Sequence, residues 1–298
     1  MNLNIVDSYC WEEHRKILTP VQTQIPALRT FGIFSNTHAS RPVQPHIHQN
    51  CVEIVFLLKG FQVYETETEH FNLSGWDIFV AYPNELHSSG IHPESICDLI
   101  WMQIDLSPDL PFLGLDEENA AILREALHTL PRLFTGDALL RQMLTEAFAD
   151  LRDPQPLTHS MGQQLLVSAL FRMKRLSLSP HLRQSDRIGD AVSYIQDHIA
   201  DSIDLEDVAQ ACGLSLSRFK VKFKEETGTP PREYINHVKV ERAKKMLLVN
   251  RNVTETALDL GYTTSSYFSV IFKKYTGFSP SQYLERELAS QSKIEQEF

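Results

Sequence analysis

The chain has 298 residues, 42% of them apolar and 22% charged, with 12 Gly, 15 Pro and 4 Cys. That composition excludes fibrous, collagenous and disordered proteins, and at about 100 to 200 residues per domain the length predicts two domains. The formal charge of −10 argues against a uniformly basic nucleic-acid binder, because a polyanion is held mainly through Lys and Arg.

The N-terminal segment MNLNIVDSYCWEEH has no basic start followed by an apolar core, which predicts no secretion signal. The most hydrophobic stretch, Cys51 to Leu58, is broken by Glu53 and closed by Lys59. No membrane helix of about 18 uninterrupted apolar residues is therefore expected. Four sparse cysteines without a C-x-x-C pair (Cys10, Cys51, Cys97, Cys212) fit a reducing cytoplasm. From Arg29 to about Leu106 short runs rich in Val, Ile, Phe and Tyr (VEIVFLLK, FQVYETE, DIFVAYP, DLIWMQIDL) alternate with Gly and Pro, the texture of an antiparallel β unit. Within it, PHIHQNCVEIVFLLKG sets His46 and His48 on one strand face with Glu53 five residues on, and GWDIFVAYPNELH adds His87.

Between Glu117 and Leu178 apolar residues recur three and four apart, as in Ile122, Leu123, Ala126, Leu127, Leu130 and Leu140, Leu144, Ala147, Phe148, Leu151. Three helices are predicted there, the last over about Ser160 to Leu176. The aperiodic SLSPHLRQS marks a linker. The domain plan is thus a β unit over residues 1–115, a helical region over 116–178, a linker over 179–187 and a helical domain over 188–286. The fold class is α+β.

The last domain contains an internal repeat. LEDVAQACGLSLSRFKVKFKEETGTPPREYI and VTETALDLGYTTSSYFSVIFKKYTGFSPSQYL start at Leu205 and Val253. Each has an Ala (Ala209, Ala257) four residues before a Gly (Gly213, Gly261), and an aromatic-Lys pair (Phe223-Lys224, Phe272-Lys273) five residues before a second Gly (Gly228, Gly277). Leu205, Val208, Ala209 and Cys212 form an i, i+3, i+4, i+7 stripe, and the small Ala209 admits a crossing helix. Phe219 and Phe223 anchor the second helix on that stripe and leave Ser217, Arg218, Lys220, Val221 and Lys224 outside. In the second copy Phe268, Ile271, Phe272 and Tyr275 face in, and Ser265, Ser266, Ser269, Val270 and Lys273 face out. A long helix, about Arg232 to Val249, joins the copies. Two such exposed helices about 34 Å apart fit successive major grooves.

Charge distribution points the same way. Residues 1–182 carry 12 Lys and Arg against 21 Asp and Glu, whereas Ser215 to Lys245 holds nine basic residues against four acidic ones. No Ser/His/Asp arrangement, phosphate-cradling glycine loop or pair of catalytic carboxylates stands out, which leaves hydrolase and kinase readings without support.

The tail resembles the DNA-binding domain of AraC/XylS-type bacterial transcription regulators over about Ile188 to Leu284, and GYTTSSYFSVIFKKYTGFSPSQY is close to that family's signature. Lys239 departs from it, standing where the family usually has an arginine on the connecting helix. The resemblance implies a double helix-turn-helix DNA-binding domain, base-edge contacts from Ser217, Lys220, Val221, Ser265, Ser266, Ser269 and Val270, and phosphate contacts from Arg218, Lys224 and Lys273. It also implies promoter DNA, RNA polymerase and a second copy of the chain as partners, residues 116–178 as dimer interface, and an activator answering to a small-molecule effector, most often a carbohydrate. The spacing of His46, His48, Glu53 and His87 resembles the two motifs of the cupin superfamily of small β-barrels. An effector pocket built from these four residues and Trp101 is expected, with Trp76, Tyr64 and Tyr82 as further aromatics. No cofactor is required; the four residues are also the expected ligand set for a divalent metal. The alternative is a metal-dependent cupin enzyme or metal sensor carrying a DNA-binding tail, and a third reading has the β unit bind a partner protein.

Overall fold

The fold was obtained as a computed structural model, which describes residues 13–178 and 185–294. Among these, residues 13–36, 42–92 and 97–178 form one compact unit, and residues 37–41, 93–96 and 185–294 form a second. The expected linker, 179–187, lies outside the described residues except for its last three.

The first unit begins with β1 (Arg15–Leu18), a single helical turn α1 (Pro20–Thr23) and β2 (Leu28–Ser35). The strand β3 (Cys51–Thr66) is followed by β4 (His70–Ser74), β5 (Asp77–Ala81), β6 (His87–Ser88) and β7 (Cys97–Asp105). Every pairing is antiparallel, with the order β1-β2-β7-β3-β5 and a last strand, β8 (Leu133–Thr135), at the far edge. A register shift between Leu57 and Lys59 bends β3, so its second half pairs β4 and β6 instead. The expected barrel is therefore open: β1 and β8 stand at opposite edges, and hydrogen bonding does not close the sheet upon itself.

Strand alternation sends consecutive side chains to opposite faces. Ile54, Phe56, Ile78, Val80, Ile100 and Met102 pack outward against three helices, namely α2 (Glu117–His128), α3 (Ala138–Asp150) and α4 (Pro156–Ser177). Val55, Leu57, Phe79, Ala81 and Leu99 line the concave face with Phe34 and Tyr64. The Asp116 and Asp137 carboxylates accept from the N–H groups of Asn119 and Leu140, capping α2 and α3. The helix α4 starts four residues before the expected Ser160, because Pro156 at its first position is pre-set for a helix.

The second unit is helical. It contains α5 (Asp186–Asp197), α6 (Leu205–Ala211), α7 (Leu216–Thr227), α8 (Pro231–Asn250), α9 (Val253–Asp259), α10 (Ser265–Thr276) and α11 (Pro280–Ile294). Among the described residues no helix is long and apolar enough to cross a membrane.

Candidate functional site

Two arrangements carry chemistry. The first is the pair of helix-turn-helix units, α6–α7 and α9–α10. Leu205, Val208, Ala209 and Cys212 are buried as a stripe under Phe219 and Phe223, and Ala257, Leu260, Phe268, Ile271 and Phe272 repeat the arrangement. Gly213 and Gly261 turn the chain between the helices at φ +65° and +69°, in the left-handed region that costs other residues about 1–2 kcal/mol.

On α7, Ser217, Arg218, Lys220, Val221 and Lys224 are all exposed. On α10, Ser266, Val270 and Lys273 are exposed, while Ser265 and Ser269 are half-buried and the Ser269 hydroxyl donates to the Ser265 carbonyl at 2.8 Å. The valines decide how these faces read: Val221 is 58% exposed and Val270 65% exposed at matching places in the two copies. An apolar side chain held in water beside cationic ones suits contact with a thymine methyl. Among the described residues Arg218, Lys220, Lys224 and Lys273 have no ion pair, whereas Lys222 is held 2.6 Å from Glu226. Lys222 is thereby withdrawn from the set of cations available to a phosphate. The exposed Tyr267 on α10 was missed because an aromatic in YFSVIF reads as core; its offset of one residue from Phe268 is the signal that places it outside.

The second arrangement lies on the concave face of the sheet. An antiparallel bridge pairs His46 with His87, and β3 supplies Glu53, so His46, His48, Glu53 and His87 converge with one ligand atom each inside 4.8 Å. His48, Glu53 and His87 are buried and His46 is half-buried. His48 Nε2 lies 3.0 Å from Glu53 Oε2, and His87 Nε2 lies 3.5 Å from Oε1. The Nδ1 atoms of His46 and His87 meet the carbonyls of Gln44 and Glu85 at 2.7 and 3.0 Å, which in the neutral ring turns both Nε2 lone pairs toward the centre.

Burial alone would raise the Glu53 pKa, but hydrogen bonding and charge from His48 and His87 outweigh it and hold the carboxyl well below its ordinary range. Burial pulls His87 down, and Glu53 more than reverses this, so its pKa is raised. His46 is lowered, by burial first and then by the neighbouring His87.

Sequence reasoning missed Gln103. Its amide donates to Glu53 Oε2 at 2.8 Å and lies 3.2 Å from His48 Nε2, and its own oxygen accepts from the Thr30 hydroxyl at 3.0 Å. The signal was a neutral polar residue inside the apolar DLIWMQIDL, which must find a partner when buried.

Trp101 shares this face, opposite Val55 one step along from the Glu53–Gln103 pair. Its ring lies flat over Gly32, where a Cβ would meet it at 2.3 Å, and the Arg15 guanidinium lies 5.5 Å from the ring centre. The other aromatics do not form one wall. Tyr64 stacks on Phe79 at 4.8 Å, whereas Trp76 and Tyr82 pack against the helix-facing core and the Tyr82 hydroxyl donates to the Leu130 carbonyl.

The residues fit a divalent metal. Three imidazoles and a carboxylate converge in a buried centre, and two of the rings are oriented through their second nitrogens.

Residues 208–286 match the model of a helix-turn-helix domain family. Among curated relatives, the HTH-type transcriptional activator RhaS of Enterobacter sp. (strain 638) is 22% identical over 88% of this chain and 98% of its own length. The activator of the same name from Escherichia coli is 23% identical over 85% of this chain and 95% of its own. Solved structures with similarity include the C-terminal domain of AraT, a response regulator from Geobacillus stearothermophilus, with 33% identity over 35% of this chain and 88% of that one at a TM-score of 0.34. ToxT from Vibrio cholerae aligns over 92% of this chain and 98% of its own with 12% identity and a TM-score of 0.33. The matched helix-turn-helix domain and the likeness to these activators over most of the chain support the reading of the tail as an AraC/XylS-type DNA-binding domain.

Proposed function

We propose that the protein is a sequence-specific transcription activator whose second unit reads two adjacent half-sites on promoter DNA and whose first unit senses a small-molecule effector. The observation that carries this is the matched exposure of Val221 and Val270 beside unpaired cations on two recognition helices. Lys220, Val221, Ser217, Ser266 and Val270 read base edges, with Ser265 and Ser269 behind them; Arg218, Lys224 and Lys273 hold phosphates. The activator sense follows from the similarity to the two RhaS activators. A carbohydrate effector rests on the family resemblance, and His46, His48, Glu53, His87 and Trp101 are its proposed pocket. RNA polymerase is the expected downstream partner, and the domains are a sensor over residues 1–115, a dimerisation region over 116–178, a linker over 179–187 and a DNA-binding domain over 188–286.

The proposal includes a homodimer through α4. Leu157, Met161 and Phe171 lie four and ten residues apart along one exposed line of that helix, with the polar Gln164 and Ser168 between the last two, and Leu157 is 74% and Met161 56% exposed. An exposed apolar line of this kind suits a partner helix, here a second copy of the chain. The opposite face is taken up by Leu166, Leu170 and Met173 in the unit's own core.

The convergent His46, His48, Glu53 and His87 favour a second reading of the sensor, in which its ligand is a divalent metal. A bound metal would supply a fixed positive charge drawing the four side chains together. One experiment separates the readings: thermal unfolding of purified protein against a panel of sugars and divalent metals, with metal content determined on the same sample. A ligand at a hundredfold over its dissociation constant stabilises by about 2.7 kcal/mol. A sugar response without metal supports the first reading, and about one metal per chain, lost in H46A, supports the second.

A further inference from the structure

The two helix-turn-helix units bury separate apolar cores, one around Phe219 and Phe223 and the other around Phe268 and Phe272. The helix α8 gives Ile235 to the first and Val240, Ala243 and Leu247 to the second, so it crosses between them over four residues. Lys239 stands at that crossing and is 5% exposed. An ammonium in such a place is costly unless its donors are met. Its Nζ donates to the Asp201 carbonyl at 2.6 Å, in the segment leading from α5 into α6, and to the Leu260 carbonyl at 2.6 Å, at the C-terminal cap of α9. The Tyr262 ring centre lies 5.3 Å away. Burial lowers the ammonium's pKa, and the Asp201 charge opposes that shift.

The backbone beside this contact is equally close. A Cβ on Gly261 would lie 2.5 Å from the Asp201 carbonyl carbon and 2.7 Å from the Ser202 nitrogen. Asp201 is thus enclosed between Gly261 of the second helix-turn-helix unit and Lys239 of the connecting helix. The two apolar cores are separate clusters that meet α8 over different residues, so neither core joins the two helix-turn-helix units directly. Two charge-assisted hydrogen bonds to carbonyls of different units supply direction.

We propose that Lys239 is a positioning residue that fixes the orientation of α7 relative to α10, and so sets the half-site spacing that the protein accepts. The functional half of this inference rests on the DNA-binding reading; the geometric half does not.

The test uses the full-length protein, with Cys10 replaced by serine and spin labels on cysteines introduced at the exposed Glu225 of α7 and Ser266 of α10, the native Cys51, Cys97 and Cys212 being buried. The distance distribution is expected to be narrow in the parent and in K239R, which keeps charge and donors, and broad in K239M. Unlabelled proteins are then titrated with a duplex selected by the parent from a random library, and with the same duplex carrying one extra base pair, about 3.4 Å, between its half-sites. Insertion should cost the parent and K239R at least about tenfold in affinity and K239M less than about twofold. K239Q, which keeps a donor but loses the charge and the reach, should lie between K239R and K239M and takes the latter's place if that variant fails to fold. A narrow distribution and an unchanged insertion penalty in the folded variants would overturn the proposal. If the parent selects no sequence, the DNA-binding reading fails, and the distance distributions alone still decide whether Lys239 fixes the geometry.

Discussion

Replacing Glu53 by glutamine removes one charge from the buried centre and changes little in volume. In the wild type the carboxylate accepts from Gln103 and faces His48 at 3.0 Å and His87 at 3.5 Å. Its pKa is depressed, so the stability it contributes is present above the unfolded value of about 4.3 and is lost as pH falls through the lower folded value. His87 is raised; its contribution is complete below the unfolded value of about 6.5 and is lost as pH rises through the higher folded value. Metal-free wild-type protein is therefore most stable between those limits and weakens on both sides. Removing one partner of a buried pair costs about 3–5 kcal/mol where the other is left charged. Glutamine keeps an acceptor for Gln103 and can donate to a neutral imidazole, which brings the expected cost at pH 6 down to about 1–3 kcal/mol. For a unit of this size that is a fall of about 2–12 °C in Tm. Urea unfolding in EDTA from pH 2.5 to 9, followed by circular dichroism, measures it, and E53Q should show a flatter profile than wild type. An E53Q profile with undiminished slopes on both limbs would refute the coupling of Glu53 to His87.

On α7, K220A should cost about 1–3 kcal/mol on a selected duplex and relax preference at one base pair, measured by fluorescence anisotropy across single-base variants. K224A should weaken all duplexes alike and reduce the salt slope by about 1, measured between 50 and 200 mM salt. Neither change should alter the unfolding free energy by more than about 0.5 kcal/mol, since both side chains are exposed and without an ion pair. M161E, placing charge on the exposed line of α4, should shift sedimentation from dimer toward monomer without loss of helical signal. On the metal reading, zinc added to metal-free protein should raise Tm in wild type and not in H46A, read by thermal scanning.

Most of the architecture was legible because two periods are strongly expressed. In VEIVFLLK and DIFVAYP both strand faces are apolar, one packing on helices and the other lining the concave face, so the runs read as strands without revealing which face is which. The helix-turn-helix repeat was legible because a small residue at Ala209 or Ala257, a turn glycine and a buried phenylalanine are each required at a fixed place in such a crossing. The strand β8 was not legible. Leu133–Thr135 is three residues long, lies between two helices and owes its conformation to pairing with Asp77–Phe79 of β5, a contact remote in sequence. The strand β1 is hidden for the same reason, its four residues being set by pairing with β2. In the concave site the histidines and Glu53 announced themselves by spacing, whereas Gln103 and Thr30 have no spacing to read and are found through the carboxylate they support. Lys239 stood out in the sequence only as a lysine where the resembled family usually has an arginine; its role emerges only when Asp201 and Leu260, 38 and 21 residues away, meet its ammonium.

The central claim is that two recognition helices read DNA sequence, and selection from a random duplex library by the full-length protein tests it most directly. The expected result is one enriched motif with two parts about 10 to 10.5 base pairs apart, bound at least about a thousandfold more tightly than random duplex at 0.15 M salt. Enrichment without a motif, or equal affinity for selected and random duplexes, would contradict the account.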